Sequence, residues 1–69
     1  MMQTESRLYG LYELQGVFNM PTWQVGIYPT KSGLPTLSSE QQIVSLADKE
    51  AAFAEAQRRV DTLLKLASR

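Results

Sequence analysis

The sequence predicts an α+β domain, a three-stranded antiparallel β-meander followed by one C-terminal amphipathic helix, in the order β-β-β-α. Three observations carry this expectation. All three Pro, all four Gly, all three Tyr and the single Trp precede residue 47, and an alanine- and charge-rich segment follows it. Residues 48–67 space their apolar side chains by threes and fours. Residues 23–28 alternate by twos. Neither half could bury a core alone, so the 69 residues make one domain.

The helix is expected over Asp48 to Ala67. Ala52, Phe53, Ala56, Val60, Leu63, Leu64 and Ala67 form one apolar stripe, with Glu50, Glu55, Gln57, Arg58, Asp61, Thr62 and Lys65 on the other side. Asp48 suits the N-cap, and Ser45 would serve a helix starting a turn earlier. Glu50 in the first turn and Lys65 near the end complement the helix dipole. Glu55 with Arg59, and Asp61 with Lys65, have the acid-before-base order that favours pairing one turn apart.

The clearest strand is Trp23 to Tyr28, with Trp23, Val25 and Ile27 on one face and Gln24, Gly26 and Tyr28 on the other. Pro29, without an N–H, ends it. An earlier strand is expected over Leu8 to Phe18, with Gly16 as a bulge, after a flexible N-terminus at residues 1–6. Asn19 to Thr22 is short enough for a hairpin. A third strand, Gln41 to Leu46, leads into the helix. Between the last two strands, Pro29 to Glu40 reads as a long loop, of a length that is often functional. The expected core is Trp23, Val25, Ile27, Val44, Leu46, Phe53, Ala56, Val60, Leu63 and Leu64.

A chain this short buries only about 60% of the surface its unfolded form exposes, so packing or a partner must supplement it. It has no Cys and no His, which removes disulfides, thiolate metal sites and the usual neutral-pH base. No cofactor is expected. Ser residues without His leave no Ser-His pair. Glu13, Glu50, Glu55, Asp48 and Asp61 all have pairing, capping or solvated positions rather than an acid/base arrangement. Lys31-Ser32-Gly33 has the wrong order for a phosphate loop and reads as a turn. Residues 1–7 lack the apolar stretch of a secretory signal, and no run approaches the roughly 20 apolar residues of a membrane span. A soluble, cytoplasmic protein with no membrane partner is expected, and no enzyme.

Seven Lys and Arg balance seven Asp and Glu. That neutrality disfavours nucleic acid as the main partner and leaves self-association unopposed. Six aromatic residues remain, five of them before the helix. One helix covers one sheet face, so the other face is expected to carry Tyr28 together with Tyr9 or Tyr12. The leading expectation is a protein-interaction or regulatory module, with a homodimer as one form of it, contacting its partner through Tyr9, Tyr12, Tyr28, Leu34 and Leu37. The alternative is nucleic-acid binding, with sheet aromatics stacking on bases and Arg58, Arg59 and Lys65 meeting phosphate.

The run Gly16-Val17-Phe18, then Trp23 to Ile27, then Ser45 to Ala56, resembles the plan of integrase arm-binding domains. The resemblance covers about residues 16 to 60. It implies a three-stranded sheet that reads DNA, followed by an alanine-rich helix. Such sheets carry several Arg and Lys, whereas residues 8–46 here hold only Lys31. No DNA-contacting residue carries over.

Overall fold

The computed structural model describes residues 3–38 and 40–67. Four strands and one helix follow in order: β1 (Thr4–Tyr9), β2 (Tyr12–Asn19), β3 (Thr22–Pro29), β4 (Ile43–Leu46) and α1 (Lys49–Ala67). The sheet is an antiparallel meander in the order β1-β2-β3-β4. α1 packs on one of its faces, over β2, β3 and β4. The α+β class and the C-terminal helix stand as expected. The strand count is four rather than three.

The extra strand arises inside the stretch expected as one strand. Gly10 has a φ of +62°, and Leu11 does not share that left-handed backbone. A Gly first in a two-residue loop is the signature of a tight type II′ hairpin. The chain therefore reverses at Gly10-Leu11, pairing Tyr9 with Tyr12 and Thr4 with Val17. Residues 4–6, expected to be flexible, lie in β1. Gln3 just before it accepts from the Phe18 N–H, and residues 1 and 2 lie outside the described residues. Gly16 is not a bulge, since it stays in register with Glu5 on one side and Val25 on the other.

The second hairpin turns at Met20-Pro21, whose peptide bond is cis. After β3 the chain does not wander freely. The Thr30 N–H and hydroxyl both donate to the Leu11 carbonyl, at 3.0 and 2.8 Å. Ile27 N–H donates to the Gln42 carbonyl at 3.0 Å, carrying the ladder just past β4. α1 starts as expected: Ala51 N–H donates to Asp48 Oδ2 at 2.9 Å, an N-cap. Glu55 pairs with Arg59 at 3.1 Å.

Alternation assigns the faces. Glu5, Arg7 and Tyr9 of β1, Tyr12, Leu14, Gly16 and Phe18 of β2, Trp23, Val25 and Ile27 of β3, and Val44 and Leu46 of β4 look toward α1. The fully buried set is Tyr12, Leu14, Val25, Ile27, Val44, Ala52, Phe53, Ala56 and Val60. Trp23, Leu34, Leu37, Leu63 and Tyr9 pack around it, partly buried. Two expected core residues are corrected. Leu64 is 40% exposed and Leu46 is 39% exposed. Asp61 already sits level with Tyr9, the last residue of β1, so the helix overhangs the sheet from about residue 62. Leu46, the last residue of the short edge strand β4, has no strand beyond it.

No helix among the described residues is long and apolar enough to cross a membrane.

Candidate functional site

The open sheet face carries Thr4, Ser6, Leu8, Glu13, Gln15, Val17, Thr22, Gln24, Gly26, Tyr28, Ile43 and Ser45. It is mostly polar and, among the described residues, has no Lys or Arg. Leu8 and Tyr28 flank Glu13 across neighbouring strands, and Ile43 stands opposite Gly26. The Tyr28 ring folds back over Gly26, so a Cβ there would lie only 2.6 Å from ring atoms. Tyr28 and Ile43 therefore form one apolar island beside Glu13, with Leu8 on its far side.

The tyrosines separate in a way that corrects the expected interface. Only Tyr28 looks outward from the open face. Tyr12 is 1% exposed and belongs to the core, where its hydroxyl donates to the Pro35 carbonyl. Tyr9 faces the helix, and its hydroxyl donates to both Asp61 carboxylate oxygens, at 2.8 and 3.0 Å. The Gly10 turn is the cause, because it folds β1 back and sets Tyr9 and Tyr12 side by side on the α1 side. Burial raises the Tyr12 hydroxyl pKa, and the Asp61 carboxylate raises that of Tyr9.

Leu34 and Leu37 fold inward as well, partly buried against the core. The long loop is thus pinned rather than free: Thr30 is tied to Leu11, Pro35 to Tyr12, and Arg59 Nη1 donates to the Gln41 and Ile43 carbonyls at 2.9 and 3.3 Å. Between this loop and the overhanging end of α1 lies a groove of about 430 Å³, with Leu37, Leu63 and Leu66 on its apolar side and Glu55, Arg58 and Arg59 on its polar side.

Arg58, Arg59 and Lys65 sit on α1, across the sheet from Tyr28. Glu55 accepts from both arginines, at 2.7 Å from Arg58 and 3.1 Å from Arg59. Its pKa is lowered by Arg59 first and Arg58 second. The fold does not bring an aromatic sheet face and the helix cations onto one surface.

Sequence reasoning misses a charged cluster at the β1 edge. Glu5, Arg7, Lys49 and Glu50 interlock there. Arg7 binds the Glu5 carboxylate and donates to Glu50 at 2.9 and 3.2 Å, and Lys49 reaches Glu5 at 3.1 Å. The Arg7 guanidinium lies 4.2 Å above the Phe53 ring centroid, a cation–π contact. The pattern Glu-x-Arg in an alternating run is the signal: it puts two charges on the face that the neighbouring strand turns to the core.

This cluster predicts an acid dependence of stability. Lys49 and then Arg7 hold the Glu5 pKa below its ordinary 4.5, and Arg7 holds that of Glu50 below it. Groups with a lowered folded pKa stabilise above the unfolded value and lose that contribution as pH falls through the folded one. The melting temperature should therefore drop on acidification below about pH 4.5, and Arg7→Gln should flatten that slope. Thermal melts followed by circular dichroism check both; parallel profiles for the two chains would refute the assignment.

Among the described residues, no three acidic, His or Cys side chains come together as a metal site would require. Compared with known proteins, the chain matches no family model, no curated protein and no solved structure.

Proposed function

We propose that this domain is a non-enzymatic protein-interaction module, a small regulator or adaptor that presents its open sheet surface to a protein partner. The observation that supports this most directly is the apolar content of the uncovered face: Leu8 is 73% exposed, Ile43 43% and Tyr28 36%. Apart from Glu13, which stands between Leu8 and Tyr28, those side chains lie among neutral polar neighbours, as at a protein interface with an apolar centre and a polar rim. Several of the charged groups are otherwise engaged. Glu5, Arg7, Lys49 and Glu50 seal the core edge, and Glu55 with Arg59 ties the loop to the helix. The nucleic-acid reading would draw on Tyr28 with Arg58, Arg59 and Lys65, and it loses support because these stand on opposite sides of the sheet.

Site-directed photo-crosslinking tests the proposal. A photoreactive residue replacing Leu8, Tyr28 or Ile43 should give a discrete protein adduct, identified by mass spectrometry. The same residue at the exposed Ala54 should not. Equal labelling from Ala54, or no adduct from the sheet positions, would overturn the reading. An adduct destroyed by nuclease would replace it with the nucleic-acid alternative.

A further inference from the structure

β1 is an edge strand with a row of hydrogen-bonding groups that no other described residue uses. The Phe18 N–H donates to the Gln3 carbonyl at 2.8 Å, and the tight turn makes Tyr9 and Tyr12 a pair. In an antiparallel ladder every second residue faces its neighbour. Gln3, Glu5, Arg7 and Tyr9 therefore bond to β2, while Thr4, Ser6 and Leu8 turn their N–H and C=O groups away from it. All three of these residues are exposed. α1 lies over the other three strands and meets β1 through the Arg7 and Tyr9 side chains, so none of the described residues covers the outer edge. An exposed row of this kind is a template for another strand.

We propose that the occupant of this edge is β1 of a second copy of the chain, paired antiparallel about a two-fold axis at Ser6. The inference rests on the reading of the domain as a protein-interaction module and adds to the open face a second contact, at the sheet edge. The charge pattern singles out the copy and the register. With Ser6 opposite Ser6, Thr4 meets Leu8 of the second copy, and each such pair of outward residues exchanges two backbone hydrogen bonds. On the helix side, Glu5 of each copy then stands opposite Arg7 of the other, at the closer, non-hydrogen-bonded spacing where side-chain pairing is strongest.

The alternatives fare worse. Slipping by two residues places Glu5 opposite Glu5, or Arg7 opposite Arg7. Slipping by one turns outward groups against inward ones. A foreign apolar strand would meet two charges on the face it needs to bury, a feature that ordinarily blocks edge pairing. A strand with Arg and Glu in mirrored places instead extends the ion-pair cluster that Glu5 and Arg7 already form with Lys49 and Glu50, and this chain carries that strand. Zero net charge leaves association of two copies unopposed at longer range. The two-fold axis runs perpendicular to the sheet, so both helices remain on one side and both open faces on the other.

Sedimentation of the full chain at rising concentration should show the mass moving from 7.8 kDa toward twice that value. Arg7→Glu and Glu5→Arg should each weaken association at least about tenfold, by setting like charges opposite one another. An equimolar mixture of the two should restore the dimer, a rescue that no effect on folding alone would produce. Ser6→Pro removes an N–H the β1–β2 ladder does not use and should also give a folded monomer by circular dichroism. The chain has no Cys, so Ser6→Cys offers one thiol on the axis and should form an intermolecular disulfide, while Ser45→Cys should not. A wild-type chain that stays monomeric throughout would overturn the proposal; if position 28 still gave a protein adduct, the interaction-module reading would survive it. A dimer that persists in Ser6→Pro and gives no disulfide at position 6 would likewise overturn it.

Discussion

Phe53→Ala is expected to remove a large share of the domain's stability, the largest loss from any single substitution. Phe53 is fully buried, the largest apolar side chain that α1 sends into the sheet. Its ring fills the space above Gly16, where a Cβ would lie 2.7 Å from Cζ, and carries the Arg7 guanidinium 4.2 Å from its centroid. Removing a buried Phe costs about 3–5 kcal/mol, a transfer loss plus the cavity left behind. Collapse cannot easily close that cavity, because Gly16 offers no side chain to fill it. The seat of Arg7 goes as well, loosening the Glu5–Arg7–Glu50 cluster it organises. A domain of this size is stable by roughly 3–10 kcal/mol in total. Urea titration followed by circular dichroism measures the effect. A loss below about 1 kcal/mol would show that the α1–sheet interface does not depend on this ring.

The helix is the most legible part of the sequence, because its period, cap and charge order agree with one another. Its apolar stripe overstates burial at its far end, where Leu64 and Ala67 are exposed, since periodicity reports a face and not the length of sheet beneath it. The strand at Trp23 to Tyr28 is legible for the same reason. The β1–β2 hairpin is not. Leu8, Tyr9, Leu11, Tyr12 and Leu14 are apolar almost without interruption, so alternation through Gly10 cannot distinguish one long strand from two. The cue is Gly10-Leu11 itself, a Gly-first pair that suits a type II′ loop. Missing it transfers Tyr12 and Leu14 out of the core and Tyr9 onto the wrong face.

The candidate site is legible only in outline. Reasoning from one helix and one sheet correctly implies an uncovered face and Tyr28 on it. It cannot find Leu8 and Ile43, whose outward direction depends on the register set by the hairpins. Leu34 and Leu37 read as exposed because loop residues usually are, yet the core under the overhanging helix end needs apolar cover and takes them. The Glu5–Arg7 edge is invisible for a further reason. Glu5 falls in the segment expected to be flexible and Arg7 just after it, so the Glu-x-Arg alternation carries no geometric information until that segment is a strand.

Gly16→Val is expected to be the second most damaging change, and it tests the same contact from the sheet side. Gly16 is a buried strand residue whose backbone needs no special conformation, so flexibility is not why glycine stands there. Space is the reason. A Cβ at this position would lie 2.7 and 3.0 Å from two Phe53 ring atoms and 3.3 Å from the Glu5 carbonyl oxygen. Neither neighbour yields easily: the ring is wholly buried, and the carbonyl belongs to β1, paired directly with Gly16. Valine favours strands by intrinsic preference, and at an exposed position it would stabilise. Here overpacking should dominate and cost about 1–3 kcal/mol or more. Gly16→Ala should fall below it in the same order. If the clash with Phe53 is the cause, Phe53→Leu should relieve it. Gly16→Ala and Phe53→Leu together should then cost less than the sum of the two alone, by about 0.5 kcal/mol or more in a double-mutant cycle. Strictly additive losses would point instead to the Glu5 carbonyl, and to a shift of β1 rather than of the ring. The same aromatic-over-glycine arrangement recurs on the open face, where Tyr28 covers Gly26. There the ring is partly exposed and can swing aside, so Gly26→Ala should cost less than Gly16→Ala.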